Sequence, residues 1–207
     1  MERTHRIMFV CHGNICRSPM AEFLLKDMIK KEGLADRFVI ASSGTSREEI
    51  GNPVHQGTRK KLAQDHISAA GKYAVQLTKE DYEKYDAIFL DIEMKKMSGI
   101  ELSNIIRKKN KTVNLVFVTG EFKYALHGYK VGALQYLMKP IKKEDLFECL
   151  DIIKEKIKVT NDSGNYITIE LPKRSIKLNC ETIEYCIMFS PYIDIYKIGR
   201  ASCRERV

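Results

Sequence analysis

The chain has 207 residues, 35 Lys and Arg against 27 Asp and Glu, a formal net charge of +8, and six cysteines. Apolar residues at 44% and charged residues at 30% exclude a wholly disordered chain, and the length allows one large domain or two small ones. No apolar run approaches the roughly 20 residues of a membrane helix, and the basic excess forms no block typical of nucleic-acid binding. The cysteines show no framework spacing, so we expect reduced thiols in a cytoplasmic protein without a membrane partner.

Strand and helix patterns alternate along the first 157 residues. Short apolar runs predict buried strands at residues 7–11, 38–41, 87–90, 113–118 and 134–138. Helical spacing of apolar residues, with capping and proline signals, predicts helices from residue 18 onward and at 52–64, 77–85, 99–109, 122–132 and 144–157. This alternation predicts an α/β fold with a doubly wound parallel sheet.

The pattern changes after residue 158. Residues 159–165 are rich in turn formers and predict a linker. Residues 166–171 alternate as in a half-buried strand, and residues 175–178 and 192–196 continue the β pattern. The last quarter of the chain is therefore expected to be β-rich.

A short polar loop separates the first predicted strand from the first predicted helix. Residues 11–18 read Cys-His-Gly-Asn-Ile-Cys-Arg-Ser. Gly13 and Asn14 can adopt the positive φ that turns successive backbone N–H groups inward. The helix that opens at Pro19 adds the positive end of its dipole. The loop therefore predicts an anion-binding site.

Three side chains of this loop suggest chemistry as well as binding. Arg17 offers a planar fork for two phosphate oxygens. The same positive field favours the thiolate of Cys11, which is the nucleophilic form, and Ser18 can hydrogen-bond that thiolate. A buried cysteine pair beside a helix cap is the alternative interpretation.

The loop resembles the phosphate loop of low-molecular-weight protein tyrosine phosphatases. The similarity covers about residues 5–86 and continues through residues 43–45, 51–53, 76–78 and 81–82. It implies attack by Cys11, a phosphocysteine intermediate, a phosphoryl group bound by Arg17, and no cofactor or metal. It also implies that the substrate is a phosphotyrosine protein or a small aryl phosphate.

The resemblance assigns roles to the remaining loop residues. Cys16 matches the family's second cysteine, which can pair reversibly with the nucleophile on oxidation. An arsenate reductase is a neighbouring interpretation of the same loop, but no relay cysteine is placed to favour it. The phosphate-binding residues implied by the resemblance are His12, Gly13, Asn14, Ile15 and Cys16.

The family's general acid has no counterpart. A phenolic leaving group has a pKa near about 10, so its departure is helped by an acid that protonates it. The family places this acid in an Asp-Pro pair, whereas the five prolines here follow Ser18, Asn52, Lys139, Leu171 and Ser190. We therefore expect impaired catalysis.

A second set of polar residues follows the later strands. Asp91, Thr119 and Lys139 end the third, fourth and fifth strands and should meet at the carboxyl edge of the sheet. Residues 86–157 resemble the second half of a response-regulator receiver domain. The resemblance implies that Asp91 is a phospho-acceptor served by a histidine kinase. It also implies that Thr119 and Tyr136 form the switch pair and that Lys139 is the active-site lysine.

Receiver phosphorylation would need Mg²⁺, a hard cation that prefers oxygen ligands. The family holds it with an acidic pair after the first strand, where this chain has Cys11, His12 and Gly13. Glu48 and Glu49 lie in a later loop and are interpreted as solvated charge. The metal site of the receiver is therefore expected to be absent.

The end of the chain resembles incomplete pieces. Residues 165–197 resemble the opening strands of a LytTR-type DNA-binding domain, and we expect no DNA binding from this truncated form. Residues 198–207 resemble a translated sequencing adapter, with a genuine basic tail as the alternative. The predicted segments are a phosphatase part at 1–86, a receiver part at 87–158, a linker with a partial LytTR domain at 159–197, and the tail.

These resemblances predict a chimera with a seam near residues 85–88, made by an assembly error or by natural fusion. The elements on both sides of the seam keep one β-α register, which predicts a continuous sheet of order 2-1-3-4-5. Cys11 and Asp91 would then end adjacent strands, where Asp91 could replace the missing acid or repel the phosphate. The three functional hypotheses are an impaired phosphatase, a response regulator that controls transcription, and a non-functional chimera.

Overall fold

The computed structural model describes residues 4–124, 131–162, 166–171, 174–179, 183–189, 192–197 and 200–206. Side chains are described up to residue 157, apart from that of residue 122. The chain divides into two compact units, Met1–Lys154 and Glu155–Val207. Within the described part, no helix is long and apolar enough to cross a membrane.

The first unit contains a five-stranded parallel sheet of order β2-β1-β3-β4-β5, which confirms the predicted fold class and strand order. The strands are β1 His5–Cys11, β2 Phe38–Gly44, β3 Ala87–Asp91, β4 Asn114–Thr119 and β5 Gln135–Met138. The helices are α1 Arg17–Lys31, α2 Gln56–Gln64, α3 Asp81–Lys84, α4 Gly99–Lys109 and α5 Lys143–Asp162, and the 3-10 turns are Ala35–Arg37 and Phe122–Tyr124.

The central strands are buried on both faces, as a parallel sheet covered by helices requires. One face carries a continuous apolar cluster in which Ile88, Leu90 and Phe117 pack with Leu102 and Ile106 of α4. On β1 and β3, the rings of Phe9 and Phe89 pack at a tilted angle with centroids 4.8 Å apart. The sheet runs without interruption across the predicted seam, because β1 pairs with β3 in parallel.

Local signals explain where α4 begins and ends. Ser98 accepts a hydrogen bond from the Glu101 N–H at 3.2 Å, and Glu101 accepts one from the Ser98 N–H at 2.7 Å. This capping box satisfies two helix-end donors. The hydrogen bonds that the Glu101 carboxylate accepts from the Ser98 N–H and the Ser98 hydroxyl lower the pKa of Glu101. The last turn is basic, over residues 107–109, which complements the negative end of the helix dipole.

Two helices begin later than predicted. The predicted start of α2 at residue 52 was wrong, because Pro53 forms an isolated β-bridge with Tyr73. The helix begins at Gln56, where the His55 ring accepts the Gly57 N–H at 3.1 Å. The predicted helix at 77–85 is only the four-residue α3, preceded by a turn in which Thr78 donates to Asp81.

Two other boundaries also differ. Strand β2 continues through Gly44 rather than stopping at residue 41. Of the helix predicted at 122–132, Phe122–Tyr124 is a 3-10 turn and residues 131–132 form a turn, while residues 125–130 lie outside the described residues.

The second unit is β-rich, as predicted. Strands β6 Tyr166–Leu171 and β7 Arg174–Asn179 form an antiparallel pair. Strands β8 Ile183–Phe189, β9 Tyr192–Lys197 and β10 Arg200–Arg206 form an antiparallel sheet of order β10-β9-β8. The prediction gave no strand at β8, and it assigned residues 198–207, which include β10, to the adapter-like tail.

The predicted linker was wrong over its first residues, because α5 continues to Asp162. Residues 163–165 lie outside the described residues. The predicted segment boundaries near residues 86 and 158 stay predictions.

Two neighbouring isoleucines of α4 test the importance of core packing. Ile106 is fully buried and Ile105 is 40% exposed. We expect Ile106→Ala to lower the free energy of unfolding by about 2–5 kcal/mol, because it removes buried methyl groups and leaves a cavity. Ile105→Ala, the matched control, should cost well under half as much. Urea unfolding measures both, and equal losses would contradict the packing of α4 against the sheet.

Candidate active site

The loop between β1 and α1 is held by the backbone that follows β2. Thr45 donates its N–H to the Cys11 carbonyl at 3.0 Å, and Ser46 donates to the His12 carbonyl at 2.8 Å. A Cβ on Gly44 would lie 2.8 Å from the His12 carbonyl oxygen, so only glycine allows this approach. The loop is therefore fixed from one side by main-chain contacts.

Asn14 fixes the loop from inside. It is fully buried and has a φ of 55°, a left-handed conformation that asparagine tolerates better than most residues. Its side-chain amide donates to the Ser18 hydroxyl at 2.9 Å and to the Ser42 hydroxyl at 2.8 Å. Its carbonyl oxygen accepts the Val75 N–H at 3.0 Å. One side chain thus joins the loop, α1, β2 and a later segment.

Cys11 lies directly against Ser18. The Cys11 Sγ and Ser18 Oγ atoms are 2.9 Å apart, and both residues are buried. Because Asn14 donates to the same hydroxyl, the Ser18 proton is available for the sulfur. The Ser43 carbonyl is a second acceptor for that proton, but it is farther away at 3.4 Å. The hydroxyl can therefore stabilise a thiolate at Cys11.

A buried ionic group supports this chain of hydrogen bonds from behind. Glu22 of α1 is 3% exposed and accepts the Ser42 hydroxyl at 2.6 Å. Lys72 and Lys26 pair with its two carboxylate oxygens at 3.1 and 2.5 Å. Two cations and a hydroxyl thus compensate for burial of the carboxylate.

Sequence reasoning missed this group. One of its two lysines, Lys72, comes from a loop far along the chain. The position of Glu22, however, could have been recognised from the sequence. Glu22 shares a helix face with the buried residues Ser18, Leu25 and Ile29. A carboxylate at an apolar-face position of a helix indicates a buried ion pair.

The loop arginine is already engaged by a carboxylate. Arg17 Nη1 forms a direct ion pair with Asp91 Oδ2 and donates to the Glu93 carbonyl at 2.7 Å. Lys139 Nζ binds the other Asp91 oxygen at 2.9 Å. Asp91 therefore lies next to the loop that carries Cys11. It forms a three-residue ionic cluster, Arg17–Asp91–Lys139, at the carboxyl edge of the sheet.

The other two predicted receiver residues lie at this edge but make local contacts. Thr119 is fully buried, and its hydroxyl accepts the Glu121 N–H at 3.1 Å. The Tyr136 hydroxyl donates to the Glu121 carbonyl at 2.7 Å, and burial raises its pKa. Both side chains thus fix the turn that follows β4.

The remaining loop residues are placed as follows. The Ile15 carbonyl accepts the His55 N–H at 2.8 Å, and Cys16 precedes the first residue of α1. A Cβ on Gly13 would lie 3.1 Å from Glu49, so the loop passes close to the segment that carries both glutamates. Together these contacts close the loop on its α2 side.

His12 faces the exposed carboxylate of Glu48 at 3.6 Å. Glu48 also binds Lys96 at 2.5 Å, and this hydrogen bond is the main cause of its lowered pKa. Among the described residues, no group of three or more His, Cys, Asp or Glu side chains is arranged to hold a metal ion.

Comparison with known proteins gives the class. The family model "Low molecular weight phosphotyrosine protein phosphatase" matches residues 6–127, which is more than half of the chain. The low molecular weight protein-tyrosine-phosphatase YfkJ of Bacillus subtilis is 34% identical over 151 residues, 67% of this chain and 96% of its own length. The chain therefore belongs to the low-molecular-weight phosphotyrosine protein phosphatase family.

A mammalian relative and a solved structure match over different shares of their length. The rat low molecular weight phosphotyrosine protein phosphatase is 35% identical over 113 residues, 52% of this chain and 64% of its own length. The crystal structure of B. subtilis YfkJ superposes with a TM-score of 0.48 at 26% identity, covering 77% of this chain and 97% of that chain.

The family match is longer than the sequence resemblance. The resemblance covers about residues 5–86, whereas the family model matches through residue 127 and therefore includes Asp91 and Thr119. The family model and these relatives lend no support to the receiver half, the LytTR segment or the adapter-derived tail, which stay predictions.

The ionic cluster predicts the effect of removing its carboxylate. We expect Asp91→Asn to lower the inhibition constant of inorganic phosphate by about two- to fivefold, because Arg17, which is half exposed, is released from an ion pair worth up to about 1 kcal/mol. Competitive inhibition of aryl phosphate hydrolysis measures this constant.

Asp151→Asn, the matched change of an exposed carboxylate on α5, should have no effect. An unchanged inhibition constant in Asp91→Asn, together with a lower kcat, would instead support Asp91 as the substitute acid.

Proposed function

We propose that the chain hydrolyses aryl phosphate monoesters, phosphotyrosine in a protein or a small aryl phosphate, through a cysteinyl-phosphate intermediate on Cys11. The observation that carries the proposal is the 2.9 Å contact between Cys11 Sγ and Ser18 Oγ inside a loop held by Asn14. Enzymes of this family need no metal cofactor, and the proposed chemistry uses only groups of the protein and water.

In the first step, backbone N–H groups of the loop and the Arg17 guanidinium bind the phosphate. The Cys11 thiolate attacks phosphorus, so that the S–P bond forms as the bond to the phenolic oxygen breaks. In the second step, water attacks phosphorus, the S–P bond breaks, and the thiolate returns to its hydrogen bond with Ser18. Inorganic phosphate then leaves the loop.

The proposed activity is impaired for two reasons. No Asp-Pro pair supplies a proton to the leaving phenolate, since none of the five prolines follows an aspartate. Asp91, the carboxylate at the end of the strand next to β1, has one oxygen bound to Arg17 and the other bound to Lys139. Because a cation engages each oxygen, the geometry argues against Asp91 as the missing acid, and the Arg17–Asp91 pair competes with substrate for Arg17.

The missing acid predicts a strong dependence on the leaving group. We expect p-nitrophenyl phosphate to be hydrolysed about a hundredfold faster than phenyl phosphate, because a general acid normally contributes about 10²–10⁴-fold for a poor leaving group. Steady-state kcat/KM values for a series of substituted phenyl phosphates measure this dependence. Similar rates across the series would show that an acid is present.

Substitutions of two buried cysteines test whether the hydrolysis of the aryl phosphates depends on Cys11. Cys11→Ser should lower activity by about three orders of magnitude or more, because it removes the nucleophile. Cys149 is fully buried in α5, and burial raises its pKa to about 12, so its thiol is inert. Cys149→Ala should therefore retain the activity. Full activity in Cys11→Ser would refute the proposed chemistry.

One observation favours a second candidate function. Lys139 lies 2.9 Å from Asp91 at the sheet edge, the arrangement that the receiver resemblance implies for a phospho-acceptor. In this alternative a histidine kinase phosphorylates Asp91 and the chain controls transcription. The missing acidic pair for Mg²⁺ and the occupied Asp91 oxygens argue against it.

Acetyl phosphate distinguishes these hypotheses. With Mg²⁺ present, we expect no phosphoryl group on Asp91, because both of its oxygens are held by cations and the acidic pair is missing. Mass spectrometry of the intact chain and of Asp91→Asn measures this. Labelling that is lost in Asp91→Asn would favour the receiver function. A chain inactive in this assay and on aryl phosphates would match the chimera hypothesis, which one long DNA read across codons 80–95 tests directly.

A further inference from the structure

An apolar cavity lies beneath the phosphate loop, between the sheet and helices α1 and α5. Its volume is about 580 Å³, within the range of small-molecule sites. Its apolar walls come from Phe9, Met20, Leu24, Leu25, Phe89 and Leu146.

The lining also carries charge. Arg17, Lys139, Lys142 and Lys143 line the cavity together with a single carboxylate, Asp91. At the carboxyl edge of the sheet, two of these cations, Arg17 and Lys139, face that one anion. Lys143 lies 3.7 Å from Glu32 and over the Phe147 ring, while Arg17 and Lys139 hold Asp91 between them.

The Asp91 carboxylate shows that an oxyanion fits between Arg17 and Lys139. Arg17 uses only Nη1 in its contacts with Asp91 and the Glu93 carbonyl. A guanidinium has five N–H donors in a planar fork, so it can accept a second oxyanion beside the first. Lys139, which binds the other Asp91 oxygen at 2.9 Å, reduces the repulsion between that oxyanion and Asp91.

We propose that the cavity binds a single aliphatic chain with an anionic head group, and that the head group binds Arg17 and Lys139. The apolar walls match the aliphatic chain, and the two cations that flank Asp91 match a carboxylate or phosphate head. Because Cys11, Ser18 and Arg17 line the same cavity, the bound molecule competes with phosphate at the loop. The ligand is therefore an inhibitor of the proposed phosphatase rather than its substrate.

Isothermal titration calorimetry on Cys11→Ser tests binding without any turnover, so it remains informative if the proposed phosphatase activity fails. The probes are n-alkyl carboxylates of about six to about twelve carbons, below their micelle concentrations. We expect Kd to fall about fourfold for each added methylene until the cavity is full. A Kd that does not depend on chain length, or no binding, would overturn the proposal.

The head group is tested at one chain length. Decanoate and decyl phosphate should both bind, and their ratio shows which oxyanion is preferred. Decyltrimethylammonium, with the same chain and the opposite charge, should bind at least tenfold more weakly. Equal affinity for the cationic compound would overturn the assignment of the head group to Arg17 and Lys139.

Replacing two alanines by leucine, one in the cavity and one outside it, tests where the aliphatic chain of the ligand binds. Ala21 lines the cavity, and Ala21→Leu should shorten the longest chain that still gains affinity. Ala63 is exposed on α2, and Ala63→Leu should leave the whole series unchanged. If both variants gave the same dependence of Kd on ligand length, the aliphatic chain of the ligand would bind outside this cavity. The chain-length and head-group series on the parent chain decide the proposal if Ala21→Leu does not fold.

Discussion

The position of β1 between β2 and β3 is the constraint on which the site depends. Pairing with β2 sets Cys11 opposite Gly44, and pairing with β3 sets Val10 opposite Leu90. The first register brings the loop onto the glycine that lets it approach, and the second brings Asp91 next to the loop. The backbone pairing of the strands therefore brings the nucleophile, the arginine and the carboxylate to the same region of the sheet edge.

Two polar groups then stabilise opposite sides of the same loop. On the β2 side, Glu22, Ser42 and Asn14 form a buried chain of hydrogen bonds that ends at Ser18 and the Cys11 sulfur. On the β3 side, Asp91 holds Arg17. The first group positions the nucleophile, whereas the second competes with the anion that the loop would bind.

The fold could be predicted from periodicity because strands and helices alternate so regularly that few parallel topologies remain. Boundaries failed where a tertiary contact decided the local structure, as at Pro53, which forms a bridge with Tyr73 instead of starting α2. In the second unit, β8 was missed because its residues carried no strict alternation.

The candidate site, like the fold, could be predicted from the sequence only in part. The loop was predictable because the strand, the polar residues 11–18 and the helix that follows them are contiguous in the sequence. The partners of Glu22 were not, since Lys72 reaches it from a distant segment. The proximity of Asp91 to the loop followed from strand order, but its pairing with Arg17 did not, because strand order does not determine side-chain direction.

The central claim is that phosphoryl transfer passes through Cys11, although Asp91 lies at the end of the adjacent strand. Rapid quenching of the reaction with p-nitrophenyl phosphate, followed by peptide mass spectrometry, tests it most directly. The account predicts one phosphoryl group on the peptide that contains Cys11, appearing during turnover and absent when substrate is exhausted. A phosphoryl group on the peptide that contains Asp91, or none on either peptide during turnover, would contradict it.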